Sequence, residues 1–331
     1  MTDRPRITIS LLTWNGSKYL PWLLKSLEAQ TFQDWELLVL DNDSKDDSVN
    51  VVKENYPPAK IIKQKTNIGF AKGHNLLINW SKSDYVLFLN QDAILAEDYL
   101  AKTVEWLDNN PNVATVSGKL LYWNFSETAL TKTIDSFGLK INRQRKVIDW
   151  QQGTEDYKIN NKEVFGVSGA IFLARRAALE TIKIPRGKEY FEYFDEDFFA
   201  YKEDVDLAWR LRLRGWENWL ITDTKAHHHR TVASAQSMRQ SRKDRGMANK
   251  LSYRNHLATV YKNSFAVNVW KDIFYILFYE VKKFIYLLIF ERKTLAGLFS
   301  FFSLRAKLKQ KKKHIKQTRR VKSEDIYQWF K

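Results

Sequence analysis

The chain has no cysteine, so it can carry neither a disulfide framework nor a thiolate metal site, and any metal it binds must use carboxylates or histidines. It also lacks an uncharged apolar run of the ~20 residues needed to cross a bilayer. Its first segment, MTDRPRITISLLTWNG, has only a short apolar run broken by polar residues. That is unlike a signal peptide and leads us to expect a cytoplasmic protein. No internal repeat is evident, and no nucleic-acid-binding motif accompanies the positive charge, so nucleic acid is not an expected partner.

What is present supports a sizeable core: 331 residues, 44% hydrophobic, with 12 Trp, 15 Tyr and 20 Phe. The formal charge of +16 is unevenly placed. Residues 241–331 hold 22 Lys and Arg against 6 Asp and Glu, whereas the first 240 residues hold 32 of each. Two regions with different physical roles therefore meet near residue 240, giving an expected unit 1–240 and a basic, aromatic-rich extension 241–331.

Apolar runs alternate with helical patterns through the first part. ITISLLTW (Ile7–Trp14), WELLVLDND (Trp35–Asp43), AKIIKQ and DYVLFLNQD (Asp84–Asp92) read as strands. YLPWLLKSLEAQ reads as a helix, as does a segment opened by Ser44. This order predicts an α/β fold with a mostly parallel sheet flanked by helices, binding its ligand at the carboxyl ends of the strands. Three of those ends read TWNG, DND and NQD. The middle, roughly 120–165, reads as polar and irregular apart from possible short strands such as KLLYW, and FGVSGAIFLARRAALETI as a strand running into a helix. Beyond residue 262, FAVNVWKDIFYILFYEVKKFIYLLIFERK has Trp and Tyr beside lysines, as in a helix lying in a membrane interface. The basic stretch RAKLKQKKKHIKQTRRVK would then favour an anionic lipid surface. A buried helical hairpin with a solvated tail is the competing reading.

Two segments carry candidate chemistry. In VLFLNQD, Asn90 and Asp92 end a hydrophobic strand, where a carboxylate suits Mg²⁺ or Mn²⁺ together with a diphosphate; a simple turn is the alternative. In AYKEDVDLAWRLRLRGW, Glu203, Asp204 and Asp206 open a helix that ends in arginines before Gly215. Helix-dipole complementarity alone would account for that pattern.

The ordered set TISLLTWNGSKYLPWLLKSLEAQTFQDWELLVLDNDSKDDS, TNIGFAKGHN, LFLNQDAIL, GVSGAIFLARR and FDEDFFAYKEDVDLAWRLRLRGW resembles the family 2 glycosyltransferases of GT-A fold, especially bacterial rhamnosyltransferases. The resemblance covers roughly residues 6–230. It implies that Thr13, Asn15 and Asp41 meet a nucleoside, with Asp43 nearby, and that Asn67, Gly69 and Asn75 line the donor pocket. NQD stands where the family has DXD, with Asn90 replacing the first Asp and Asp92 expected to contact metal and sugar diphosphate. Asp204 matches the catalytic base and Glu203 its neighbour. Of His227–His229, His228 is the favoured further metal ligand, and Gly169, Asp195 and Glu196 are placed on the acceptor side. The implied activity is inverting transfer of a sugar, with L-rhamnose from dTDP-rhamnose as a candidate, assisted by Mg²⁺ or Mn²⁺. The donor would be a dTDP- or UDP-sugar and the acceptor a glycan or lipid-linked glycan of cell-surface polysaccharide, with the protein peripheral on the inner face of the membrane. A non-catalytic carbohydrate- or membrane-binding module on the same scaffold is the alternative, and a two-carboxylate glycoside hydrolase a third.

Overall fold

Runs of apolar residues that would be unstable exposed on either face become the inner strands of one large sheet. The computed structural model describes residues 4–187, 189–230 and 246–331. In chain order the first half comprises β1 (Ile7–Thr13), α1 (Leu20–Glu28), β2 (Trp35–Asp41), α2 (Ser48–Asn55), β3 (Lys60–Lys63), α3 (Gly69–Trp80), β4 (Tyr85–Asn90), β5 (Ala93–Leu95), α4 (Tyr99–Asn109), β6 (Val113–Asn124) and β7 (Ala129–Ser136). There follow β8 (Leu139–Ile141), β9 (Val147–Asp149), β10 (Lys162–Glu163), β11 (Ile171–Arg175), α5 (Arg176–Ile182), β12 (Ile184–Pro185), β13 (Phe191–Glu192), α6 (Glu203–Leu213) and β14 (Glu217–His228).

The sheet runs β10-β14-β6-β11-β4-β1-β2-β3, with β5 beside β14 and β7 beside β6. Strands β4, β1, β2 and β3 are mutually parallel, and β6 is parallel to β14. Strand β11 is inserted antiparallel to both β4 and β6. Burial on both faces explains why β1 and β4 read as nearly unbroken apolar runs. Register puts Thr13 opposite Asp41 and Leu12 opposite Asn90, so the polar ends of three strands share one edge.

Two expectations change. The middle segment is more regular than expected: the short strand expected at KLLYW is the end of β6, a 12-residue mostly buried strand, and β7 pairs antiparallel along it. The first part of β7, ALTKT, is only half-buried, and its threonines and lysine give it a polar reading that hides the strand. The helix expected to open at Ser44 begins at Ser48 instead. The Ser44 hydroxyl is occupied in the loop, accepting the Asn15 amide at 3.0 Å.

The C-terminal helices are α7 (Gly246–Asn263), α8 (Ala266–Lys271), α9 (Ile273–Phe290), α10 (Arg292–Ser303), α11 (Arg305–Thr318) and α12 (Ser323–Tyr327). The boundary expected near residue 240 lies outside the described residues. Ile315, Ile326 and Phe330 join Val205, Trp209 and Leu213 of α6 in one apolar cluster, with Phe330 edge-on to Trp209 at 5.6 Å. Part of the basic extension therefore covers the helix that carries Glu203 and Asp204. Helix α9 differs: it is apolar yet largely exposed, with Phe274 83%, Phe278 67% and Ile289 60% accessible. Among the described residues no helix is long and apolar enough to cross a membrane.

Candidate active site

The loops after β1 and β2 are locked to each other by hydrogen bonds. Thr13 Oγ1 donates to Gln91 Oε1 at 2.8 Å, and the same oxygen accepts the Trp14 amide at 2.9 Å. Asn15, in a left-handed conformation, accepts the Lys45 amide on Oδ1 at 2.8 Å. Asp41 is buried and accepts the Ser44 amide, whereas Asp43 pairs with exposed Lys45 at 2.6 Å. Asn42 accepts the Ile68 amide and donates to the Gly69 carbonyl, while Asn67 Oδ1 accepts the Gly69 amide at 2.9 Å. Gly69 has φ +83°, and a Cβ there would lie 2.6 Å from Phe199, so backbone freedom and space both require glycine. Thr13, Asn15, Asp41, Asp43, Asn67 and Gly69 thus belong to one connected set of loops.

The NQD segment meets β14. Asp92 Oδ1 lies 3.3 Å from His228 Nε2, and Asn90 Nδ2 lies 3.4 Å from the same nitrogen. The other ring nitrogen, Nδ1, is 2.9 Å from buried Asp135 Oδ2. Burial works against protonating His228, but Asp92 and Asp135 outweigh it and push the imidazole up to about 10. The neighbouring histidines point elsewhere. His227 faces the Thr131 carbonyl and is pushed down by burial to about 4, and His229 contacts the Trp123 carbonyl at 3.0 Å. Behind His228, Arg230 pairs with Asp135 and, at 2.5 Å, with Asp149.

This donor set fits a divalent cation. A carboxylate and an imidazole face one another in surroundings that stabilise positive charge, and Asp135 fixes the ring as an outer carboxylate does for a metal-bound histidine. Among the described residues no third His, Asp or Glu converges with them, so further ligands would come from a bound diphosphate and water.

Asp204 occupies the first turn of α6, where the backbone N–H groups favour an anion. Its Oδ2 accepts the Gly169 amide at 3.1 Å and its Oδ1 the Val205 amide at 2.8 Å. The next carbonyl, that of Ala170, accepts the Asn90 amide at 2.9 Å, so one short stretch of backbone ties Asp204 to the NQD segment. Burial raises the Asp204 carboxyl, Lys202 opposes that rise and Asp149 adds to it. Glu203 is pushed up to about 8, chiefly by burial and then by Asp204, and its Oε2 has no hydrogen-bond partner. Burial and the adjacent Asp204 thus both favour the protonated form of Glu203. Asp206 is structural: it pairs with Arg210 at 2.9 Å and Lys262 at 3.0 Å. Gly215 (φ +87°) ends the helix, with the Trp216 amide on the Leu211 carbonyl.

Two expected positions, Asn75 and Asp195, are fully buried, and a third, Glu196, is half-buried. Asn75 is fully buried in α3, where it accepts the Tyr193 and Phe194 amides and donates to the Phe194 carbonyl, so it braces the chain rather than lining a pocket. Asp195 is fully buried between the ammonium groups of Lys262 and Lys311, which take up its carboxylate. Glu196 accepts from the Tyr190 hydroxyl and from Asn75. Gly169 does stand beside Asp204. Sequence reading missed Gln91, Asp135, Asp149, Lys202 and Arg230. Only Lys202 and Arg230 carried a local signal, by adjoining KED and HHHR.

An α/β sheet with polar loops at one edge, an Asp–His pair and a buried carboxylate at a helix start together make one candidate site. The model of glycosyl transferase family 2 matches residues 8–183, more than half of the chain, and the protein belongs to that family. It is 24% identical over 228 residues to the O-antigen chain rhamnosyltransferase RfbN of Salmonella typhimurium, covering 59% of this chain and 72% of that one. An uncharacterized glycosyltransferase of Haemophilus influenzae is 32% identical over 108 residues, or 32% of this chain and 36% of its own length. The chain spans less than half the length of several relatives it matches. Among solved structures it resembles the mannosyltransferase PcManGT of Pyrobaculum calidifontis in complex with GDP-Man and Mn²⁺ (TM-score 0.55, 19% identity, 92% of this chain and 76% of that one). It also resembles GalNAc-T7 with UDP, GalNAc and Mn²⁺ (TM-score 0.59, 11% identity, 79% and 48% covered).

Proposed function

We propose that the protein is an inverting glycosyltransferase, with residues 1–240 as its catalytic unit. One observation carries the reading: the backbone at Gly169 and Ala170 links Asp204 to Asn90, which supports one site holding both the base and the NQD segment. Asp204 takes the proton of an acceptor hydroxyl as its oxygen bonds the anomeric carbon. The bond from that carbon to the diphosphate oxygen breaks, and the nucleoside diphosphate leaves with the electron pair. Asp92 and His228, with the donor diphosphate, would hold Mg²⁺ or Mn²⁺, which offsets the leaving group's charge. Thr13, Asn15, Asp41, Asp43, Asn67 and Gly69 shape the nucleoside side. Likeness to the Salmonella enzyme makes dTDP-rhamnose the first donor to try, with UDP-sugars next, and cell-surface glycan synthesis the setting.

Residues 241–331 would attach the enzyme peripherally to an anionic membrane face. The support is an exposed apolar α9 and a lysine-rich α11 in the same extension. Truncation near residue 262 is a poor test because α11 and α12 cover α6; Ile289→Glu with Phe290→Glu is the cleaner change, and it should abolish flotation with anionic liposomes.

The decisive experiment measures nucleoside diphosphate release from a panel of nucleotide sugars, with Mg²⁺ or Mn²⁺ and with chelator, using Asp92→Ala and Asp204→Asn as controls. Metal-dependent release from one donor, lost in both variants, is the expected result. Failure of every donor to bind in calorimetry would overturn the reading in favour of a non-catalytic module.

A further inference from the structure

Strand pairing joins the nucleoside side of the site to the NQD segment only as far as the strands run. The ladder between β1 and β4 ends with Leu12 opposite Asn90, and beyond that point both chains turn into loops. The side chain of Gln91 carries the connection further. Its Oε1 accepts the Thr13 hydroxyl at 2.8 Å and the Trp14 amide at 2.9 Å, and its Nε2 donates to the Trp14 carbonyl at 3.1 Å. One side-chain amide therefore holds both backbone groups of Trp14, as a neighbouring strand would.

Burial does not account for this placement. Trp14 is 54% exposed, so little apolar surface fixes the loop and hydrogen bonds set its position. On one side they run to residues after β2: the Gly16 amide donates to Ser48 Oγ at 2.8 Å and the Ser17 amide to Asp46 Oδ2 at 3.0 Å. On the other side they run to Gln91, which is itself held through its chain neighbours. The Asn90 amide donates to the Ala170 carbonyl and the Asp92 carbonyl accepts the His229 amide, both at 2.9 Å. Gln91 is thus a short strut from a fixed point to the loop. Gly16 independently marks the space this strut needs. It does not stand in the left-handed region, so its backbone does not require glycine. A Cβ there would lie 2.1 Å from Gln91 Oε1 and 2.5 Å from its Cδ, far inside contact distance. The absent side chain at Gly16 is therefore a steric requirement of the Gln91 amide.

We propose that Gln91 is a positioning residue that sets the spacing between the nucleoside pocket and the segment that holds metal and diphosphate, so that a nucleotide sugar is held at both ends together. A ligand bound through two linked parts gains over either part alone only while the two subsites keep a matching distance. Gln91 keeps that distance from the side of the protein and touches no reacting atom. This coupling rests on the transferase reading of the site, and neither the donor sugar nor the acceptor enters it.

The test is calorimetry on the full chain with a whole ligand and with its two parts. The whole ligand is dTDP, UDP or GDP with Mn²⁺; the parts are the matching nucleoside monophosphate without metal, and pyrophosphate with Mn²⁺. Gln91→Met keeps the reach of the side chain and removes its three hydrogen bonds. It should weaken the whole ligand by on the order of tenfold or more while changing each part by less than about threefold. Gly16→Ala, which displaces the same amide and leaves Gln91 in the chain, should weaken the whole ligand likewise. Retained binding of the parts shows that the variants are folded. Equal losses for the whole ligand and for one part would overturn the proposal, since Gln91 would then support that part alone, as would unchanged affinity for the whole ligand in Gln91→Met. Wild-type binding of one diphosphate with Mn²⁺ keeps the transferase reading whatever the variants do. Its absence for every nucleotide, with no binding of either part, would remove that reading and the coupling together.

Discussion

The Gly169 amide donates to Asp204 Oδ2 at 3.1 Å, and a Cβ built on Gly169 would lie 3.1 Å from the Asp204 Cβ. The same absence of a side chain therefore permits the hydrogen bond and the close approach. Gly169→Ala should push the carboxylate aside without touching the loops that shape the nucleoside side. We expect kcat to fall roughly tenfold, against about 10²–10⁴-fold for Asp204→Asn, with donor affinity unchanged in calorimetry. An unaltered kcat in Gly169→Ala would show that this contact does not hold the base.

The electrostatics of the same carboxylate set the acid side of the pH profile. Burial raises Asp204 above the ordinary aspartate value, and the base must be ionised to accept a proton, so kcat/KM should climb with pH through this raised pKa. Lys202 pulls that pKa down. Lys202→Asn, which tolerates the left-handed backbone, removes the pull and should move the acid limb to higher pH. A limb that stays in place or moves to lower pH would assign the profile to another group.

His228 is held from behind. Its Nδ1 faces Asp135, which is fully buried and also paired to Arg230, so the ring presents Nε2 to Asp92. Asp135→Asn keeps the size of the side chain but removes its charge and weakens the ring's basicity. We expect Mn²⁺ affinity to fall by about 10–100-fold in the presence of a nucleoside diphosphate, read from the electron paramagnetic resonance of free Mn²⁺. Unchanged affinity would place the cation away from His228.

How much could be read from the chain depended on how locally each feature is encoded. Strands β1, β2 and β4 were legible because buried parallel strands are apolar on both faces, and their polar ends lie within a few residues of the runs themselves. The motif order drew attention to Asp92, Asp204 and Gly169, each lying within a few residues of a strand end or a helix start. Strand β7 was not legible, since its half-exposed first part reads as a loop. Asp135 had no local signature because its imidazole partner lies 93 residues further on. Asp195 was misplaced for the same reason, since its two cations come from 67 and 116 residues downstream. An acidic segment next to a catalytic motif invites a substrate role until the lysines that neutralise it are located.

Those lysines make the C-terminal helices part of the catalytic unit's stability. Lys262 of α7, Asp195 and Asp206 of α6 are all fully buried, with Lys262 bridging the two carboxylates. Removing one partner from such a group leaves charge in a poor solvent and typically costs about 3–5 kcal/mol. Lys262→Met should fall near the lower end, because Lys311 still reaches Asp195 and Arg210 still reaches Asp206. Lys307→Met removes only a half-exposed contact to Asp197 and should stay within about 0.5 kcal/mol of wild type. The pH dependence follows from the same cluster. Burial would raise Asp195, but Lys262 and Lys311 outweigh it and hold the carboxyl below its unfolded value. Its stabilisation is therefore complete above the unfolded aspartate pKa of about 4 and is lost as pH falls toward the folded value. Denaturant melts across the acid range should show wild type losing stability in that window. Lys262→Met should lose less there, because part of the interaction is already gone. Parallel curves for the two proteins would mean that the Lys262 charge does not contribute to holding the C-terminal helices against α6.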